Sequence, residues 1–294
     1  MPKPILIAIV GPTASGKTGL AIRLAKKFNG EIISADSRQV YRGMDIGSGK
    51  ATRIEQRQAP HHLLDVASPK REYNVSHFQR DARRVIRAIH RRGHLPLLVG
   101  GTGFWIQAVT DDLDLPQVKP NPRLRAQLMK KSASELFVML HQLDPGRTRT
   151  IDRHNPYRLI RAIEIVKATH RPIPALSRRS PYRVLTLGIA LTPTRLHRQI
   201  STRLRTRFRA GMVAEVARLH AQGVSWKRLE AFGLEYRFVS RYLRKKITRA
   251  ELFDELEKAI KHYAKRQLTW FRKNRHIHWI RTETQAQRLI RDFI

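Results

Sequence analysis

Eight residues near the start of the chain, Gly11, Pro12, Thr13, Ala14, Ser15, Gly16, Lys17 and Thr18, follow the pattern G-x-x-x-x-G-K-[ST]. Glycine at its ends lets successive backbone N–H groups turn inward onto phosphate oxygens, and the start of the next helix adds partial positive charge. Lys17 bridges phosphate oxygens, and the Thr18 hydroxyl reaches a magnesium ion. Most chains with such a loop hydrolyse or transfer the end phosphate of a nucleotide, and those enzymes carry a metal-handling acid at the end of a neighbouring apolar strand. Here the apolar run LPLLV ends in Gly100, Gly101 and Thr102, with no acid. The candidate acid is Asp36, which closes EIISAD and precedes SRQVYRGMDIGSGKAT, a segment dense in hydroxyls and cations. From its position Asp36 either holds a metal shell or takes a proton from a nucleophile, and both roles stay open.

These groups need elements to hold them. Ile5 to Val10 reads as a buried strand, Lys17 to Phe28 as a helix with Leu20, Leu24 and Phe28 on one stripe, and Glu31 to Asp36 as a second strand. Phe78 to Arg92 is a basic amphipathic helix, and Leu95 to Val99 a third strand that runs into GGTGFW and another helix. Strands alternating with helices imply a parallel sheet covered on both faces, with ligands at the carboxyl ends of its strands. The pattern breaks at DLDLPQVKPNP, and strand character returns only at Arg183 to Leu191. The expected fold is therefore α/β: a P-loop core with a mostly parallel sheet flanked by helices, plus a helical insertion domain. Its expected bounds are 1–115 for the first part of the core, 116–181 for the insertion, and 182–294 for a mainly helical second part. In that last part Thr194 is expected to cap a helix ended by Gly211, Thr248 and Glu251 to form a capping box for a long helix through Trp270, and HIHWI to be a last strand. Trp226, Trp270 and Trp279 are expected in the core.

The chain of 294 residues has 41% hydrophobic residues, enough to bury a substantial core. Lys and Arg total 58 against 23 Asp and Glu, a formal net charge of +35, and an enzyme this basic is expected to meet a polyanion. With no cysteine, disulfides, Cys-ligated zinc and iron–sulfur clusters are excluded, which suits a reducing cytosol. The N-terminal apolar run is too short to span a bilayer and lacks the flanks of a signal peptide, so a soluble, cytoplasmic protein that acts without a membrane is expected. The pair His61 and His62 with Asp65 has poor spacing for a metal site.

GPTASGKT, ISADSRQVYRGMDIGSGKAT, HHLLD, LLVGGTGFW, NPYRLIRAIE and KRQLTWFR, in this order, make the chain resemble the tRNA dimethylallyltransferases (tRNA isopentenyltransferases) of bacterial type. The resemblance spans nearly the whole chain. It implies transfer of a dimethylallyl group from dimethylallyl diphosphate to the exocyclic amine of the adenosine 3′ of the anticodon, by a monomer that uses Mg2+. The phosphate loop, from Gly11 to Thr18, would then hold the diphosphate as a leaving group. The resemblance also implies Asp36 as general base, Thr102 against the reacting centre, Arg203 at the diphosphate and Thr18 at the metal. On the tRNA side it implies Asp36, Ser37, Arg38, Gln39 and Thr102 near the target nucleotide, and Arg125, Arg158 and Arg161 on the insertion. The chain departs from the family pattern at AFGLEYRF, where relatives often read I-G-Y-K-E, and at Trp105, where a tyrosine is frequent; the first is expected to alter RNA contacts and the second the prenyl pocket.

Three other readings compete. A P-loop kinase of a small metabolite explains the loop but neither the missing strand-end acid nor the charge. An adenylate isopentenyltransferase acting on free nucleotide needs no long cationic surface. A non-catalytic RNA-binding protein leaves the loop and Asp36 without a task.

Overall fold

The structure, a computed structural model, describes residues 2–174 and 180–294. The first compact unit comprises Met1–Asp112 and Arg179–Ile294, and the second Leu113–Arg178. Unit one begins with β1 (Ile5–Val10), α1 (Lys17–Lys27), β2 (Gly30–Ser34), α2 (Arg53–Gln58), β3 (His61–His62), α3 (Val75–Arg91), β4 (Leu95–Gly100) and α4 (Gly103–Thr110). Unit two holds α5 (Pro122–Leu128), α6 (Ala133–Leu143), α7 (Pro145–Thr148) and α8 (Pro156–Thr169). The chain returns to unit one with β5 (Arg183–Ile189), α9 (Pro193–Arg209), α10 (Met212–Ala221), α11 (Trp226–Ala231), α12 (Leu234–Leu243), α13 (Arg249–Arg272), β6 (Ile277–Ile280) and α14 (Glu283–Phe293).

Among the described residues the sheet has the order β3-β2-β4-β1-β5-β6, and every neighbouring pair is parallel. Parallel strands bury both faces, which is why β1 reads as an unbroken apolar run. Its residues divide by parity. Leu6, Ala8 and Val10 join a large cluster with α3, α4 and the helices from α9 to α13, whereas Ile7 and Ile9 join a smaller one with Leu20 and Leu24 of α1 and Ile290 of α14. At the other end of the strands from the phosphate loop, the buried Glu31 of β2 receives Arg92 Nε at 2.9 Å and Nη2 at 2.8 Å, and meets His62 Nε2 at 2.5 Å and His94 Nδ1 at 2.6 Å. Burial alone would raise this carboxyl; hydrogen bonds from Arg92, His62 and His94 outweigh it and hold the group at about 2.

Unit two packs α5, α6 and α8 around Leu128, Leu136, Leu140, Leu159, Ile160 and Ile163. Its helices begin at side-chain caps: Asn121, Ser132, Asp144 and Asn155 each accept a backbone N–H of the first turn.

Several expectations shift by a residue or two. α9 is capped by Thr192 rather than Thr194, because Pro193 takes the first helical position, where its missing N–H costs nothing. The helix ends at Arg209, and Gly211, at φ +94°, starts α10 instead. α13 does open on the Thr248–Glu251 capping box and runs on to Arg272. Trp226 packs against the core and stacks on His220 at 3.7 Å, but Trp270 and Trp279 are each 37% exposed, contrary to expectation. Both lie on faces whose inward positions are taken by Gln267 and Phe271 in α13 and by Ile277 and Ile280 in β6.

Candidate active site

The carboxyl ends of β1, β2 and β4 lie side by side, so the segments that leave them converge. β1 runs into the phosphate loop. Ala14 at φ +61° and Gly16 at φ +85° both adopt left-handed backbone, the alternation that turns N–H groups to one side. The Lys17 ammonium folds onto the loop itself, donating to the carbonyls of Gly11 at 2.9 Å and Pro12 at 2.6 Å. β2 ends at Ser34, and Ala35 continues the pairing by donating to Val99 O. Asp36 follows as the start of a turn: its Oδ1 accepts the Arg38 N–H at 2.9 Å. β4 ends in the glycine turn. A side chain at Gly100 would meet the Ala35 carbonyl oxygen at 2.1 Å, so glycine is what lets the two strand ends close together. Thr102 Oγ1 accepts the Ser37 N–H at 3.3 Å and ties that turn to the Asp36 turn.

One residue that sequence reasoning passed over joins these parts. Gln267 of α13 accepts the Thr13 N–H on Oε1 at 2.8 Å and donates from Nε2 to Gly101 O at 2.8 Å. It is buried, so both bonds are protected from water. Gln267 lies within KRQLTWFR, but its partners are 254 and 166 residues away, a pairing that no local pattern announces.

The far wall comes from α9. Arg203 donates from Nη2 to Gly49 O at 3.1 Å, and one turn on Arg207 donates to Gly47 O at 3.2 Å and Glu235 Oε1 at 2.9 Å. Burial and the neighbouring Arg207 cation lower Arg203 to about 10, opposed by Glu235 and Asp36. Burial and the Arg203 charge lower Lys17 to about 7, opposed by Asp36. Two cations facing one another at partial burial are held at a cost that an anion between them would relieve.

The floor is the segment from Asp45 to Lys50. The buried Glu215 carboxylate accepts the N–H groups of Asp45, Ile46 and Gly47 at 2.9, 2.7 and 3.0 Å, and the Tyr236 hydroxyl at 2.9 Å. Burial, with Glu215 beside it, pushes the Tyr236 phenol well above its ordinary value. Lys50 donates to Asp45 Oδ1 at 2.6 Å, Asp65 Oδ1 at 2.5 Å and Tyr41 O at 2.9 Å. The HHLLD residues are thus spoken for separately: Asp65 by Lys50, His62 by Glu31, and His61 by Ala59 O at 2.8 Å.

Together these walls enclose a cavity of about 1560 Å³. Thr13 to Thr18, Asp36, Ser37, Arg38, Gln39 and Arg203 line it. Gly11, Pro12 and Thr102 stand behind the lining: the first two through the carbonyls that hold Lys17, the third through Ser37. No group of three or more His, Cys, Asp or Glu among the described residues has metal-holding geometry.

A family model described as IPP transferase matches residues 39–274, and one described as isopentenyl transferase matches residues 4–68. The chain belongs to the IPP transferase family. It is 45% identical to tRNA dimethylallyltransferase 2 of Trichlorobacter lovleyi over 94% of this chain and 91% of that one. It is 42% identical to tRNA dimethylallyltransferase 1 of Geotalea uraniireducens over 97% of each. Among solved structures it resembles the tRNA isopentenylpyrophosphate transferase of Bacillus halodurans, with a TM-score of 0.71 and 36% identity over 95% of this chain and 90% of that one.

Within this IPP transferase the two departures from the family pattern have clear surroundings. GLEYR supplies Glu235 to Arg207 and Tyr236 to Glu215, so it shapes the cavity floor. Trp105 is absent from the cavity wall, contrary to expectation; it is buried and stacks on Phe78 at 4.6 Å, since α4 turns that side toward α3. In the second unit, Arg125 and Arg161 both bind Glu164, Arg125 through Nε at 3.0 Å and Nη2 at 2.9 Å, Arg161 through Nη1 at 2.5 Å. Arg161 also donates to Val118 O at 2.9 Å, whereas Arg158 is exposed.

Proposed function

We propose that the protein transfers a dimethylallyl group from dimethylallyl diphosphate to the exocyclic amine of the adenosine 3′ of the anticodon in tRNA. The observation that carries this reading is the single cavity in which the phosphate loop and Arg203 face Asp36. The named activity of the relatives, tRNA dimethylallyl transfer, supports it. The alternatives fit less well: a kinase leaves the strand-end glycines without a metal acid, and a free-nucleotide acceptor leaves a charge of +35 without a use.

The adenine amine is a weak nucleophile because its lone pair is shared with the ring. Its nitrogen forms a bond to the allylic C1 as the bond from C1 to the diphosphate oxygen breaks. The electron pair of that bond leaves on diphosphate, which receives Lys17, Arg203 and the N–H groups of Thr13 to Thr18. Lys17 exchanges its bonds to the Gly11 and Pro12 carbonyls for diphosphate oxygens. Asp36 takes the amine proton on its second oxygen, because Oδ1 is engaged by Arg38. Thr102 and Gln267 hold the Asp36 turn and the phosphate loop in register. Ser37, Arg38 and Gln39 border the acceptor base, and Arg125, Arg158 and Arg161 offer their remaining N–H groups to RNA phosphates. Thr18 fits magnesium as a single hydroxyl at the start of α1, since that ion keeps several waters and is bound mainly by substrate phosphates. There it would supply further neutralisation of the diphosphate.

The test is transfer of labelled prenyl from dimethylallyl diphosphate in the presence of tRNA, free AMP or no acceptor. Label in tRNA alone supports the reading; label in AMP alone, or in neither, overturns it.

A further inference from the structure

Glu235, in the first turn of α12, lines the cavity and receives Arg207 Nη1 at 2.9 Å, yet no step of the proposed reaction uses it. We propose that Glu235 is a specificity-determining residue: by neutralising Arg207 it limits the anion capacity of the phosphate loop to a diphosphate and discriminates against triphosphates. This rests on the reading of a prenyl diphosphate as donor.

Three observations carry it. First, the cations of the cavity are sorted by burial. Arg53, Arg195 and Arg198 line it but are exposed, so water and salt screen them. The buried pair, Lys50 and Arg207, is matched by carboxylates: Lys50 by Asp45 and Asp65, Arg207 by Glu235. Among the described residues, the half-buried Lys17 and Arg203 bind only neutral oxygens, those of Gly11, Pro12 and Ser15 for the first and of Gly49 for the second. Their charge is therefore left for a ligand. Second, Arg207 stands where a longer anion would use it. It follows Arg203 by one turn on the same face of α9. A side chain at Gly49, itself at φ +62°, would run into both guanidinium groups, so the two converge on one spot. Third, the charge at this position is reversed. Relatives that read I-G-Y-K-E have Lys two residues after the glycine, where Gly233 is followed by Leu234 and Glu235. The Glu235 carboxylate is felt across the site. Burial and Arg207 lower Arg203, and Glu235 is the first of the charges that oppose them. After burial and Asp36, it also helps to push the Tyr263 phenol up. Loops of the G-x-x-x-x-G-K-[ST] kind accept nucleoside triphosphates elsewhere, with further cations on the last phosphate. Here that extra charge would meet the acid of a neutral pair instead of a free cation.

The experiment uses the full chain and measures the dissociation constants of inorganic diphosphate and inorganic triphosphate by calorimetry at fixed free magnesium. The wild type should bind triphosphate no more tightly than diphosphate. Glu235→Gln keeps the shape and removes the charge. It should shift the preference toward triphosphate by about tenfold, and ATP should become a stronger competitor of dimethylallyl diphosphate in the transfer assay. Glu235→Asp, which keeps the charge, should keep the wild-type preference. Arg207→Gln leaves the Glu235 carboxylate unpaired at the cavity and should shift the preference further toward diphosphate. The double variant Glu235→Gln with Arg207→Gln should return it close to wild type, because both charges are gone; a floor that only loses packing would add its losses instead. A wild-type preference for triphosphate, an unchanged preference in Glu235→Gln, or equal loss of both anions in every variant would overturn the proposal. A wild-type protein that binds diphosphate but transfers no prenyl group to tRNA would sink the functional reading instead, with Glu235 still judged by the binding series.

Discussion

Asp36 keeps one carboxylate oxygen in its own turn and lines the same cavity as Lys17 and Arg203. Asp36→Asn retains an oxygen that can accept the Arg38 N–H, so the turn survives while the basicity is lost. Transfer should then slow by roughly a hundred- to ten-thousandfold in single turnover, with little change in tRNA affinity. Rescue by raised magnesium, together with weakened donor binding, would give Asp36 the metal-shell role. Lys17 makes a separate prediction. Burial and Arg203 hold its free-state value at about 7, and a bound diphosphate favours the charged form. Below pH 7 the ammonium is already charged; above it, binding must recruit a proton. Donor affinity should therefore fall as pH rises past 7, and calorimetry in buffers of different ionisation heat should show proton uptake near neutrality. Lys17→Arg, permanently charged, should abolish that uptake; uptake that persists in the variant would assign it elsewhere.

At the scale of elements, Glu31 anchors the ends of β2, β3 and β4 away from the site. Its carboxyl is held at about 2, below the ordinary 4.5. The stabilisation is therefore present above about 4.5 and lost as pH falls toward 2. Glu31→Gln should lower Tm at pH 7 and remove part of the acid sensitivity between those limits; an unchanged acid limb would show that the cluster contributes nothing. The strands that carry the site were legible because parallel strands buried on both faces must be apolar throughout, as ILIAIV and LPLLV are. The phosphate loop was legible because its conformation needs Gly16 at one fixed place. Gln267, Glu215 and Glu31 were not, since each acts through partners distant in sequence, and a lone Gln or Glu looks alike whether buried or exposed. Trp270 misled for a related reason: its helical spacing suggests core, but Gln267 and Phe271 already fill the inward positions.

For the molecule as a whole, the excess of 58 basic over 23 acidic residues has little internal use. The buried acids take a share: Glu31 binds Arg92, and Glu164 binds Arg125 and Arg161. Most other cations face solvent, free to meet a polyanion. Affinity for tRNA should accordingly fall steeply with salt, by about 0.7–0.9 in log–log slope per phosphate contact, whereas donor binding inside the cavity should respond less. A flat tRNA curve would remove the basic surface from substrate recognition. Among the described residues no helix is long and apolar enough to cross a membrane. The central claim, prenyl transfer to the adenosine next to the anticodon, is tested most directly in a cell. The protein is expressed in a host that lacks this modification, and its tRNA nucleosides are resolved by mass spectrometry. N6-dimethylallyladenosine should appear 3′ of the anticodon with the wild-type chain and be lost with Asp36→Asn; wild-type tRNA that carries only unmodified adenosine there would contradict the account.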